Sequence, residues 1–116
     1  MKKVYIAHPL LGPIDKNDRE SHLPFHNRQD VNQICLNLHL NRDDILILSP
    51  IHAFSFISTY NRVDVFRYCR ELMNFADELW VFGEWEASEG CKLEIEWAKE
   101  RGIPVVFMKE GDIHGN

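Results

Sequence analysis

The chain has 116 residues, enough for one domain with a single hydrophobic core. Its hydrophobic content of 45% and charged content of 27% are ordinary for a globular protein. The formal net charge of −5 argues against a nucleic-acid polymer or an anionic membrane as the main partner, although a local site can still take a single phosphate.

Lys3 to Ala7 is expected to form a first, buried strand. A long polar stretch from His8 to His26 follows, punctuated by Gly12, Pro13 and Pro24, and stretches of this length are usually functional or mobile. A helix is predicted from Asn27 or Arg28, because Val31, Ile34, Cys35 and Leu38 repeat at i, i+3, i+4 and i+7. Asn27 lies on the same inward face. Asn41, Asp43 and Asp44 form a turn, and Ile45 to Leu48 is the second strand, closed by Ser49-Pro50.

The connection from Ile51 to Arg62 is aromatic, with His52, Phe54, Phe56 and Tyr60, and part of it can be a short helix. Two readings of these rings stay open: filling of the core edge, or a wall against which a flat ligand stacks. A second main helix is predicted over Val63–Phe75. Val65, Cys69, Leu72, Met73 and Ala76 fall on one face, and Arg67, Arg70, Glu71 and Asn74 on the other. Glu78 to Phe82 is the third strand. Gly83 breaks it, Ser88 is a good helix N-cap, and the helix that follows stops at Gly102 before Pro104 opens a fourth strand. Glu110 to Asn116 reads as a frayed tail.

This order, β-α-β-α-β-α-β with strands apolar on both faces, implies an α/β fold with a parallel sheet and helices on both sides. The expected architecture is a flavodoxin-like, Rossmann-like three-layer sandwich in strand order 2-1-3-4, with four or five strands, spanning residues 1–116 as a single domain. Its binding crevice should lie at the carboxyl ends of strands 1 and 3.

Cys35, Cys69 and Cys91 are odd in number, widely spaced and on apolar helix faces. They read as reduced core residues of a cytoplasmic protein and not as a disulfide framework or metal site. No apolar run approaches the roughly 18 residues of a spanning helix, and no signal-peptide cleavage pattern follows the first strand. No GxGxxG or P-loop motif is present, and no GxSxG surrounds Ser88. His22 and His26 are spaced i, i+4, but two histidines fall short of a metal site. Neither a cofactor nor a metal is expected.

One residue stands out in the helix after Ser88. Cys91, Ile95, Trp97 and Ala98 share one arc, Lys92, Glu96, Lys99 and Glu100 the other, and Glu94 points into the apolar arc. A structural acid paired with an arginine or a backbone donor fits this placement, and so does a functional carboxylate. Its place beside the crevice favours function. Ser88, as the cap, and Gly90, where backbone can approach a ligand closely, make the start of the same helix a natural seat for a phosphate. His8, at the end of the first strand, points at the same crevice, and taken alone it reads equally as an ordinary surface histidine.

The runs KVYIAHPLLG, ADELWVFGEW and SEGCKLEIEWAKERGIPVVF together resemble the nucleoside 2-deoxyribosyltransferase-like superfamily, and in particular its small, mostly uncharacterised bacterial and phage branch. The resemblance covers the first strand and roughly Val63 to Phe107. It implies cleavage of an N-glycosidic bond, or 2-deoxyribosyl transfer, through a covalent sugar ester on a glutamate. Glu94 matches that glutamate and Tyr5 the tyrosine that orients it. Ser88 stands where the transferases commonly carry aspartate, as in the branch that hydrolyses deoxynucleoside 5′-monophosphates, where the serine holds the phosphate. Asp64 is the candidate acid for the departing base. His8, Asn27, His52, Trp85, Ser88 and Gly90 are the candidate substrate-binding residues. His8 departs from the small residue frequent at its position. The expected partner is a small nucleoside or nucleotide, and the expected assembly a homo-oligomer, a dimer or higher. The alternative is a catalytically inactive nucleotide-binding module serving as a sensor or partner domain.

Overall fold

The structure, a computed structural model, describes residues 1–10, 23–57 and 61–109, with side chains of the first long helix from residue 27 onward. Residues 11–22, with His22, residues 58–60, with Tyr60, and residues 110–116 lie outside them. Among the described residues there are four strands, β1 (Lys2–Ala7), β2 (Ile45–Leu48), β3 (Glu78–Val81) and β4 (Val105–Phe107), connected by four α-helices. These are α1 (Leu23–Asn41), the short α2 (Pro50–Ala53), α3 (Arg62–Met73) and α4 (Glu89–Glu100). All strand pairs are parallel, in the order β2-β1-β3-β4. Tyr5 lies opposite Leu48 on one side and Leu79 on the other. This is the α/β architecture and the strand order implied by the element sequence.

The pleat separates the core into two halves. Tyr5, Ala7, Leu79 and Val81 face α3 and α4 and pack on Cys69, Met73, Cys91, Ile95, Trp97 and Ala98. Val4, Ile6, Trp80 and Phe82 face the other way and pack with Ile45 on Leu38, Ile34 and Cys35 of α1. Every buried strand residue is therefore committed to one helical layer, and a one-residue slip would exchange the two sets.

Helix α1 starts at Leu23, earlier than the Asn27 or Arg28 that its apolar spacing implies. The reason is Pro24, which reads as loop punctuation but falls in the first turn, where its missing N–H costs nothing. Residue 26 is therefore helical and not part of a loop. A similar event follows β2, where Pro50 opens α2 behind the cap position Ser49. Helix α4 ends at Glu100 with Arg101 as its C-cap, and Gly102 takes the left-handed φ of 70° that terminates such helices. No helix among the described residues is long and apolar enough to cross a membrane.

Candidate active site

Strand β1 delivers His8 and β3 delivers Gly83 to the same edge of the sheet, where the chain reverses from β2 on one side of β1 to β3 on the other. Ligands bind at such switch points in open α/β sheets. A 3-10 turn over Trp85–Ala87 then leads to Ser88, whose hydroxyl accepts a hydrogen bond from the Cys91 N–H at 3.2 Å and caps α4. The cap fixes the direction of α4, and so places Glu94 in the second turn, below its open N-terminus.

A pocket forms between this edge and the faces of α3 and α4. Its walls are apolar, with Ile51, Phe54, Ile57, Val65 and Phe66. Phe66 is braced edge-on by Trp97 at 6.2 Å, and Phe54 lies 5.5 Å from the Tyr68 ring. Polar groups converge from the start of α4, where Ser88, Glu89 and Gly90 line the pocket, and from Arg28 of α1 and Arg62 of α3. Glu94 lies against the same space between Cys69 and Cys91.

Glu94 is 8% exposed. It forms no ion pair among the described residues. Burial pushes its carboxyl up to about 8, against a smaller downward pull from the Tyr5 hydroxyl. Tyr5 is fully buried on the α3–α4 side of β1. Its hydroxyl stands close enough to Glu94 to act on it electrostatically, yet it makes no hydrogen bond of good geometry. The Tyr5 phenol is held well above its ordinary pKa by burial and then by the nearby Glu94 charge. The same two causes push the Cys69 and Cys91 thiols up to about 12. The pocket floor is thus a cluster of four buried groups that resist becoming negative together.

Arg62 meets Glu89 at 3.5 Å, with the Glu89 side chain 83% exposed. A pair this long and this wet contributes little stability, so Arg62 is easily redirected toward a bound anion.

Four of the nine residues singled out in the sequence line the pocket: His8, Ser88, Gly90 and Glu94. Tyr5 sits behind Glu94. The other four do not line it. Asn27 is buried and its Nδ2 donates to the carbonyl of Leu10 at 2.7 Å, so it shapes the backbone beside the pocket. His52 is exposed and meets Ser49 Oγ at 2.6 Å and Asn32 Oδ1 at 3.2 Å. Trp85 packs on Phe107 at 4.9 Å. The Asp64 carboxylate is taken up in the first turn of α3, accepting from Asn61 Nδ2 at 2.8 Å and pairing with Arg67 at 3.3 Å. Of the aromatic connection, Phe54 lines the pocket whereas Phe56 is 77% exposed. Sequence reasoning did not single out Arg28, Arg62 or Phe66. Arg62 carried a usable signal: it is the first residue of a helix that starts at the crevice edge.

The chain matches known structures over nearly its whole length. A 2-deoxyribosyltransferase from Leishmania mexicana aligns at 16% identity with a TM-score of 0.63, covering 93% of this chain and 64% of that one. A 2-deoxyribosyltransferase from the psychrotolerant bacterium Bacillus psychrosaccharolyticus aligns at 17% identity with a TM-score of 0.58, covering 98% of this chain and 91% of that one. This chain therefore spans less than two thirds of the length of the Leishmania protein. At identities this low the likeness shows the fold alone, which this chain shares with these 2-deoxyribosyltransferases. No curated protein matches the chain. Residues 2–107 match the family described as Domain of unknown function, DUF4406, and the chain is a member of that family.

Proposed function

We propose that this domain cleaves the N-glycosidic bond of deoxynucleotides through a covalent sugar ester on Glu94, with hydrolysis of deoxynucleoside 5′-monophosphates as the leading reaction. The observation that carries this reading is a buried carboxyl facing a pocket with no cation paired to it among the described residues. A structural acid at this depth is expected to have such a partner, because an unpaired buried charge is costly. Here the cost instead keeps a reactive group at hand.

The chemistry follows from the surroundings. Once ionised, Glu94 attacks the anomeric carbon as the base departs, and water then resolves the ester, so one difficult displacement becomes two easier ones. The Tyr5 hydroxyl and the positive end of α4 favour the ionised carboxylate against burial. The apolar walls at Phe54 and Phe66 suit a flat base. Ser88, the N–H groups at the start of α4, Arg28 and Arg62 suit a 5′-phosphate. A homodimer or larger assembly is part of this proposal, with β2 and β4 as the two sheet edges, and light scattering after size exclusion tests it.

The second reading, a nucleotide-binding module without catalysis, draws on one observation. With its carboxyl at about 8, Glu94 is mostly protonated at neutral pH. One screen separates the readings: deoxynucleosides and their 5′-monophosphates are incubated with the protein at pH 7 and pH 9, and released base is measured. Release by the wild type, lost in Glu94→Gln, supports the enzyme. Tight binding of a monophosphate with no release at either pH supports the module. Adding a second free base distinguishes transfer from hydrolysis by the appearance of a new nucleoside.

A further inference from the structure

Breaking an N-glycosidic bond needs more than a nucleophile. The departing base must gain a proton, and the water that resolves the sugar ester must lose one. Among the described residues, the pocket's titratable side chains besides its arginines are His8, Cys69, Glu89, Cys91 and Glu94. Cys69 and Cys91, pushed up to about 12, hold their protons too tightly to donate them. Glu89 is 83% exposed and faces Arg62. Glu94 supplies the attacking oxygen. Asp64, tied to Asn61 and Arg67, does not line the pocket. His8 remains.

The ring of His8 is held in a defined way. Its Nδ1 lies 2.6 Å from the carbonyl oxygen of Pro9. A carbonyl only accepts, so Nδ1 carries a hydrogen and donates it. The exchangeable position is then Nε2, a lone pair in the neutral ring and an N–H in the cation. The ring also rests against Gly83: a Cβ there would lie 3.2 Å from Nε2 and 3.2 Å from Pro9 Cδ. Gly83 itself has a φ of 72°, which suits glycine. Burial lowers the His8 pKa, opposed by the Pro9 carbonyl and by Asp30 of α1, so the cation gives up its proton readily.

We propose that His8 is the proton carrier of this site, acting as general acid toward the departing base and then as general base toward water; this rests on the N-glycosidase reading above. The reactive form, the His8 cation with the Glu94 carboxylate, is reached from the neutral ring and the protonated carboxyl that burial favours by moving the Glu94 proton to Nε2. In the first step the bond from the anomeric carbon to nitrogen then breaks as a bond to a Glu94 oxygen forms. The electron pair leaves with the base, which takes the Nε2 proton. In the second step the oxygen of water bonds to the anomeric carbon and the ester bond to Glu94 breaks. Its electron pair returns to the carboxylate, and the water proton goes to Nε2. The balance is nucleotide plus water to free base plus sugar phosphate, with both residues restored.

The test compares two leaving groups. 2′-Deoxyguanosine 5′-monophosphate needs a proton on its departing base, whereas its N7-methylated form carries a positive charge and releases a neutral base without one. Wild type, His8→Gln and His8→Ala are assayed on both, with thermal melting to show that each variant is folded. The variants should lose about 10²- to 10⁴-fold on the unmethylated nucleotide. On the methylated one they should release one equivalent of base at near the wild-type rate and then stall. Intact mass should show the sugar phosphate retained on the protein, and peptide mapping should place it on Glu94. Equal losses on both nucleotides, or no loss on either, with an active wild type, would overturn the role of His8 and leave the N-glycosidase reading standing. A wild type silent on both would overturn the two together.

Discussion

The two faces of the sheet are built by the same strands and solve different problems. On the α1 side, Val4, Ile6, Leu38, Ile45, Trp80 and Phe82 form an apolar cluster. On the α3–α4 side, Tyr5, Cys69 and Cys91 sit in the core cluster beside the buried Glu94. Adjacent residues of one strand, Val4 and Tyr5, thus belong to a passive layer and a reactive one. The difference teaches that the pleat separates most of the apolar packing from the buried carboxyl and its neighbours, although Ile6, His8 at the end of β1 and Arg28 of α1 reach the same pocket. Truncating an apolar side chain of the first face should cost folding; removing the Glu94 charge from the second should cost activity and can even stabilise.

Glu94→Gln is the largest test of that separation. Base release should fall by 10³-fold or more, on the order of what loss of a covalent nucleophile costs, while monophosphate binding measured by calorimetry stays within about threefold of wild type. Stability should move the other way. The folded protein holds the Glu94 proton up to about 8 against an ordinary 4.5, so this carboxyl's contribution is fully present below 4.5 and is lost as pH rises through 8. The glutamine variant escapes that loss. Its melting temperature should equal or exceed that of wild type at pH 9, the gap corresponding to at most roughly 5 kcal/mol, and the gap should close toward pH 5.

On the opposite face, Leu38→Ala should destabilise by about 2–5 kcal/mol in urea unfolding. The turnover of the fraction that remains folded should be unchanged. A large loss of turnover per folded molecule would break the separation.

How far the sequence revealed this division can be judged residue by residue. The period of α4 placed Glu94 among apolar neighbours, because helical spacing is local and needs no knowledge of partners. The strand order followed from element order and the rules for parallel connections. What could not be read was contact across the fold. Nothing in the sequence shows that Arg28 and Arg62, far apart in the chain, line one pocket, whereas the contacts of Asp64 with Asn61 and Arg67, each three residues away, follow helical spacing and were legible. His52 lies in α2, within a connection of which only some part was expected to be helical, and its ring turns to Ser49 and Asn32, a choice set by side-chain geometry. The start of α1 was missed for a different reason: proline signals both loops and first turns, and only the backbone tells them apart.

Smaller effects sharpen the picture of the reactive face. Ser88→Ala removes the cap bond to Cys91 and should cost about 1 kcal/mol of stability. If the hydroxyl also holds the phosphate, affinity for a monophosphate should fall by a further ~1.5–3 kcal/mol while affinity for the nucleoside stays level. Tyr5→Phe should be the mildest. Its hydroxyl makes no well-formed hydrogen bond, so stability should change by less than about 1 kcal/mol. Its pull on Glu94 would vanish, however, and the Glu94 titration, followed by infrared difference spectroscopy of the carboxyl, should shift upward from about 8. A downward shift would remove Tyr5 from any role in favouring the carboxylate.

Cys69 and Cys91 give the experimenter a gauge inside the pocket. Both thiols owe part of their resistance to ionisation to the charge on Glu94, after the larger effect of burial. Alkylation proceeds through the thiolate, so the rate at which a small alkylating reagent labels these cysteines depends on whether their neighbour is charged. Wild type and Glu94→Gln should label at the same slow rate at pH 6, where the carboxyl is neutral. Above pH 8 the glutamine variant should label faster. The charge state of one carboxyl could then be followed by mass spectrometry with no substrate in the tube.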